Sequence, residues 1–156
     1  MRRKDREVTA PEKIADIIDR CVCCRIGFND SGSVYIVPLS FGYERAGDTF
    51  VFYFHSAREG RKIDLIHTSP HVGFEMDTDY QLNEADMACG YSARFRSVIG
   101  NGVMSIVEDD AEKRRGLTLL MAHNTEKRDW PFDEKMLAAV MVFKLEVTTM
   151  SCKEHL

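Results

Sequence analysis

The sequence predicts a mainly β, α+β protein, with about six strands, mostly antiparallel, and three short helices. Three observations carry this. Short runs rich in Val, Ile, Tyr and Phe recur along the chain, as half-buried strands require. Turn clusters separate them, Asn29-Asp30-Ser31-Gly32 and Arg45-Ala46-Gly47-Asp48. The helical patterns between them are short and open on capping residues. Many short strands closed by turns favour a barrel, because closure removes exposed edges. An open α+β sheet is the competing architecture.

Each element has its own signal. Thr9 and Glu12 read as a capping box with Pro11 in the first turn, and Ile14, Ile17 and Ile18 share one face up to Arg20. Residues 21–28 are short and apolar, a strand. Residues 33–43 read as a second strand, and Pro38 within it implies a bulge or an edge, where no ladder N–H is needed. Residues 49–55 (TFVFYFH) form the strongest strand pattern, completing an antiparallel meander. Ser56 and Glu59 read as another capping box, opening a helix over 56–68 that Pro70 stops. Residues 71–76 read as a strand and 77–90 as a long polar loop. Residues 91–107 read as a long strand bent at Gly100 or Gly102. Asp109 and Glu112 start a helix over 109–123, residues 124–133 are polar, and 137–147 (LAAVMVFKLEV) read as a final buried strand.

Length and composition bound the rest. At 156 residues, with 44% hydrophobic and 29% charged, the chain is globular in composition and long enough for a core without staples. No linker or repeat divides it, so a single domain over 1–156 is expected. Lys plus Arg is 21 against 25 Asp plus Glu, a net charge of −4, which points away from nucleic acid as a partner. No apolar run reaches the ~18 residues that span a bilayer, and no apolar stretch follows the basic start, so no membrane association and a cytoplasmic location are expected. Five cysteines, three crowded at Cys21, Cys23 and Cys24, make no disulfide framework and lack the paired C-x-x-C spacing of zinc sites. They read as small apolar thiols in a buried strand. The histidines are scattered, and no serine or histidine falls in a nucleophile motif.

Two segments could carry chemistry. In His55-Ser56-Ala57-Arg58-Glu59-Gly60-Arg61-Lys62 a strand ends and a helix starts. Helix N-termini carry partial positive charge and unpaired N–H groups, so cations there want an anion. Arg58, Arg61 and Lys62 share a face at helical spacing, with His55 and Ser56 adding donors. This makes a candidate phosphate site, or else a solvated basic face softened by Glu59 and Asp64. In 91–102, Arg94 and Arg96 share a strand face and Gly100 and Gly102 would admit a flat ring, but a bent barrel strand accounts for the same pattern. A basic strand-to-helix junction beside aromatic strands, without acid/base pairs, fits a bound cofactor that carries the chemistry itself.

These residues also carry a resemblance. FYFHSAREGRKIDLIHTSPHVGFEMD, preceded by VYIVPLSFGYE and followed by YSARFRSVIGNGVMSIVEDDAEK, resembles the pyridoxamine 5′-phosphate oxidase-like FMN-binding split barrels. Within them it is most similar to the nitroimidazole-resistance-type flavoproteins, from the CRIGF strand to VFKLEV. The resemblance implies a six-stranded antiparallel split β-barrel working as a homodimer, with FMN at the subunit interface. His55, Ser56, Arg61 and Lys62, with Arg58 as an addition, would hold its phosphate. Val37, Pro38, Leu39 and Ser40 would support the isoalloxazine edge, Ser97 and Val98 would supply backbone contacts, and Met121 or Trp130 of a partner chain would close the site. No catalytic residue and no metal ligand is implied. The implied activity is an FMN-dependent reductase passing electrons from NAD(P)H to a small acceptor such as a nitroaromatic or quinone. The rival readings are a non-catalytic FMN store or sensor and a haem-binding protein with His55 as ligand; a deazaflavin is a smaller alternative within the enzyme class. Glu59 stands where the oxidase proper carries a lysine, and its C-terminal arginine and histidine motif is absent, which points away from vitamin B6 oxidation. Position 40 is serine where relatives often carry asparagine.

Overall fold

The computed structural model describes residues 3–125 and 127–156; Met1 and Arg2 of the basic start and Glu126 of the polar stretch lie outside them. The chain forms β1 (Glu7–Val8), α1 (Pro11–Arg20), β2 (Cys24–Asp30), β3 (Ser33–Leu39), β4 (Gly42–Ala46), β5 (Thr49–Ser56) and α2 (Arg61–Thr68). It continues with β6 (His71–Asn83), β7 (Ser92–Ile106), α3 (Asp110–Asn124), α4 (Glu134–Ala139) and β8 (Met141–His155). One antiparallel sheet runs β3-β2-β6-β7-β8-β5-β4, with β1 paired to β8. The α+β architecture is the one expected and fits a split barrel, but with eight strands among the described residues rather than about six, and without pairing between β3 and β4 to close it.

The core explains the curl. Phe28, Phe41, Phe50, Phe52, Phe54 and Phe143 are all at most 1% exposed and meet inside the sheet. Each buried aromatic of this size contributes ~1.5–3 kcal/mol by leaving water, so the sheet wraps around them. Helix α1 buries Ile17 and Ile18 in this core. It is tied to β4 by the Tyr43 hydroxyl, which donates to Asp19 Oδ1 at 2.8 Å. Helix α3 lies on β4 and β5 with almost no clearance. A Cβ on Gly42 would come 2.2 Å from the Leu120 amide nitrogen, and one on Gly116 2.7 Å from the Tyr53 ring.

Several expectations need correction. Helix α1 starts at Pro11 as expected, but its N-cap is Ala10 with no side-chain bond, so Thr9 and Glu12 form no capping box. The strand expected over 33–43 is two strands, broken at Ser40 and Phe41, where the chain leaves the β2 edge to pair with β5. Pro38 does sit on an edge strand, β3, as its missing N–H requires. The polar stretch 77–90 is a loop only beyond Asn83: β6 runs on to that residue and pairs with β7, and a short 3-10 turn at Ala88–Gly90 follows. The 137–147 run splits, because Leu137 buries itself from helix α4 and the strand begins only at Met141. Where a bend in β7 was expected, its register against β8 shifts between Asn101 and Gly102, and the unpaired residue, Thr148, lies on β8. Asp109 caps α3 as expected, accepting from the Glu112 amide at 2.8 Å.

Candidate functional site

The basic junction is built differently from its sequence reading. Strand β5 continues through Ser56, whose hydroxyl donates to the Ala57 carbonyl, so Ser56 and Glu59 form no capping box. Helix α2 starts only at Arg61, because Gly60 adopts φ +129°, open to glycine and strained for other residues. No side chain caps this helix, and the Ile63 amide donates back to the Gly60 carbonyl at 2.8 Å, so the Arg61 and Lys62 amides are the first-turn N–H groups left for another acceptor. Arg61 and Lys62 occupy that first turn. Arg58 lies outside the helix, not on a shared face, and its Nη1 donates to the Ala138 carbonyl at 2.6 Å.

Arg61 links the junction to β3. Its Nε donates to Asp30 Oδ2 at 2.7 Å, and its guanidinium lies 4.4 Å over the centre of the Tyr35 ring. Tyr35, Val37 and Leu39 alternate inward along β3 and are half-buried, with Pro38 and Ser40 exposed. At ~6.8 Å per two residues, Val37 follows one step beyond the ring under Arg61. On the other side, the last β4–β5 pair is Gly42 with Tyr53, so Phe54, His55 and Ser56 face no β4 partner. The barrel is therefore split between β3 and the end of β5. His55, Ser56, Arg61 and Lys62 stand at one end of that opening and Val37, Pro38, Leu39 and Ser40 along its edge.

The remaining expected residues lie elsewhere in the chain. Ser97 and Val98 sit in the middle of β7, paired with β6 on one side and β8 on the other. Ile106 shares a row with Phe143 and Phe54, so Val98 is roughly 25 Å from the β5 end at ~3.4 Å per residue. Met121 is half-buried near the end of α3. Trp130 is occupied locally: its Nε1 donates to the Lys127 carbonyl at 2.8 Å and Lys127 Nζ lies 4.4 Å over its ring. Sequence reasoning missed Asp30 and Tyr35, the two groups that fix Arg61. Tyr35 was legible as an inward position of β3; Asp30 looked only like a turn residue.

Cys21 and Cys24 are buried and Cys23 half-buried. Burial pushes the Cys21 thiol up to about 12, and Cys152 up to about 11, as expected of inert packing thiols. No described helix is long and apolar enough to cross a membrane.

An antiparallel α+β sheet curled around aromatics, split beside a basic strand-to-helix junction, defines the split β-barrel class. The chain belongs to the pyridoxamine 5′-phosphate oxidase family, whose family model matches residues 10–154. It is similar to a Bacteroides thetaiotaomicron protein described as a 5-nitroimidazole antibiotic resistance protein: 30% identity, 95% of this chain and 86% of that one, TM-score 0.81. It has the fold of the flavocytochrome Anf3 from Azotobacter vinelandii at 23% identity, 100% of this chain and 72% of that one, TM-score 0.80. The FAD and heme binding protein from Mycobacterium smegmatis shares the fold at 18% identity, 96% of this chain and 73% of that one, TM-score 0.78. A comparison with curated proteins finds no match.

Proposed function

We infer that this protein binds a flavin in the split of its barrel and serves as an electron-transfer reductase. The observation that carries this is the uncapped start of α2 with Arg61 and Lys62 in its first turn, opening onto the inward face of β3. Free amides and two cations suit a phosphate dianion, and the Tyr35–Val37–Leu39 face suits a flat apolar ring. Flavin and haem are named for proteins of this fold, and nitroimidazole resistance for the relative at 30% identity. FMN is the form proposed, since its single phosphate matches a single basic junction.

The bound flavin would accept a hydride from NAD(P)H and pass electrons to a small acceptor such as a nitroaromatic or quinone. The chain's own part is to bind and orient. Lys62, Arg61 and the Ser56 hydroxyl would anchor the phosphate, with exposed His55 beside them. Val37, Pro38, Leu39 and Ser40 would support the ring edge. Arg58, bonded to the Ala138 carbonyl, would join the phosphate only by giving up that bond. Ser97 and Val98 are too far along β7 to meet the same flavin from the same chain, so in this reading they, with Met121 or Trp130, belong to a homodimer partner.

The test is an absorption titration with FMN, followed by NADH and NADPH. Flavin bands that bleach with reductant and return with a nitroaromatic or quinone support the reductase. Bound flavin that neither donor reduces makes the protein a store or sensor, and a Soret band in its place makes it a haem protein. Arg61→Ala with Lys62→Ala is expected to weaken FMN binding at least tenfold, and unchanged affinity would remove the phosphate assignment.

A further inference from the structure

Strands β7 and β8 part at one end and leave a cavity between them. Strand β7 ends at Ile106 and β8 begins at Met141, and the Val107 amide still donates to the Val142 carbonyl at 2.9 Å. Beyond that bond the chain on one side turns into α3, and on the other it arrives from α4. The space between them holds about 460 Å³. That is the size of a small-molecule or cofactor site. Ile106, Val140 and Met141 line it and are half-buried, which leaves an apolar floor. Arg58, the cation that the start of α2 leaves aside, lines it too. Its Nη1 donates to the Ala138 carbonyl at 2.6 Å, and this holds the guanidinium at the cavity. The other guanidinium N–H groups remain for a ligand.

Charges of both signs surround this floor. Glu108 and Asp110 are exposed, and Lys113, one turn along α3 from Asp110, is half-buried. Among the described residues none of these three makes an ion pair, and neither does Arg58. Opposite charges that line one cavity without pairing leave both kinds free for a ligand. That ligand must carry anionic oxygens and hydroxyl donors together. Phosphate oxygens suit Arg58 and Lys113. Carboxylates accept from ribose hydroxyls, as they do at nucleotide sites. The aliphatic floor suits a flat base. The cavity also adjoins the basic junction, because Met141 is the ladder partner of Ser56. Paired Cα atoms lie ~4.5–5.5 Å apart, so a ligand here neighbours a phosphate held at α2.

We propose that this cavity binds an adenosine 5′-diphosphate moiety, with Arg58 and Lys113 on the diphosphate, Glu108 and Asp110 on the ribose hydroxyls, and the base on the aliphatic floor. Two molecules bring that moiety to a flavin site: the electron donor NADH, and FAD through its adenylate half. The choice between these sources rests on the flavin reading; the fit of the cavity to the moiety does not.

The test is calorimetric titration of flavin-free full-length protein with ADP, beside pyrophosphate and 2′,3′-dideoxy-ADP. One ADP per chain is expected, bound at least tenfold tighter than either comparator. Lys113→Met with Asp110→Asn is expected to weaken ADP at least tenfold, and Arg61→Ala with Lys62→Ala to leave it within threefold. ADP that does not bind, that binds no tighter than pyrophosphate, or that responds only to the changes at Arg61 and Lys62 overturns the proposal. If the Lys113 and Asp110 variant does not fold, the three ligands on wild type and on the Arg61 and Lys62 variant decide alone. The source is then read with Lys113→Met. Weaker FAD binding at unchanged FMN affinity makes the occupant the flavin's own adenylate, and a raised KM for NADH at unchanged FMN affinity makes it the donor. ADP binding in a protein that takes up no flavin keeps the cavity assignment and removes the flavin reading. Flavin binding without ADP binding does the reverse.

Discussion

Arg61 on α2 is held between Asp30 and Tyr35, its Nε donating to the carboxylate at 2.7 Å and its guanidinium lying 4.4 Å over the ring. The stacking is expected to contribute ~0.5–1 kcal/mol at such an exposed site. It points a planar cation along the inward face of β3. The carboxylate has the opposite effect on any anion, because it neutralises the charge that the phosphate would meet.

Asp30→Asn is therefore expected to strengthen FMN binding. It removes one negative charge beside Arg61 while keeping a hydrogen-bond acceptor for its Nε. A charge a few ångströms from a dianion in a solvated site is worth about 1 kcal/mol, so about fivefold in dissociation constant. Flavin fluorescence quenching at two salt concentrations checks this. The gain should shrink at high salt. Tyr35→Leu should have the opposite sign, since it leaves the guanidinium without its platform.

The contact between α3 and β4 predicts a stability effect of unusual size. A Cβ at position 42 would lie 2.2 to 2.5 Å from backbone atoms of Leu119 and Leu120, and helix backbone cannot move aside. At position 116 the nearest atom is a Tyr53 ring carbon at 2.7 Å, part of a side chain. Gly116→Ala is expected to cost about 1–3 kcal/mol, as overpacking usually does. Gly42→Ala should exceed that, ~4 kcal/mol or failure to fold, because α3 must lift off the sheet. Urea unfolding midpoints of the two variants, read side by side, check the ranking.

The sequence announced most of what has a core on one side. The β5 run TFVFYFH and the α1 face of Ile14, Ile17 and Ile18 are legible because burial imposes a period on them. Residues 77–90 were expected as a loop for the converse reason. Residues 77–83 have no core on either face, so no alternation marks them, although the backbone pairs as a strand. Residues 148–155 of β8 and helix α4 were missed at the same kind of boundary. In the site, the basic cluster at 58–62 was visible, but its geometry was not. Two capping-box patterns matched the residue types and were not used, since Ala10 and Gly60 occupy the N-cap positions. That Arg58 turns to Ala138 while Arg61 turns to Asp30 depends on which distant segments fold beside them, and no local pattern encodes that.

The outer side of β5 and β8 holds a compact charge network under α3, and it predicts an acid limb. Glu112 Oε1 accepts from Lys144 Nζ at 2.9 Å and from the Tyr53 hydroxyl at 3.2 Å, with Arg115 nearby at 3.8 Å. The bond from Lys144 is the main reason the Glu112 carboxyl is held below its ordinary value. Tyr53 itself is raised, first by burial and then by its bond to Glu44, so it stays a neutral donor. A carboxyl with a depressed folded-state pKa stabilises the fold above its unfolded value of ~4.3, and that contribution is lost as pH falls through the folded value. Lys144→Met removes the ammonium but keeps the buried stem. It is expected to destabilise by about 1 kcal/mol at pH 7, a partly buried pair being worth more than an exposed one. The penalty should diminish as pH falls below ~4.3, where wild type loses the same interaction by protonation of Glu112. Urea midpoints of both proteins at pH 7, 5 and 3.5 measure it. A gap that stays constant across the three would assign the effect to packing of the Lys144 stem and not to the charge on Glu112.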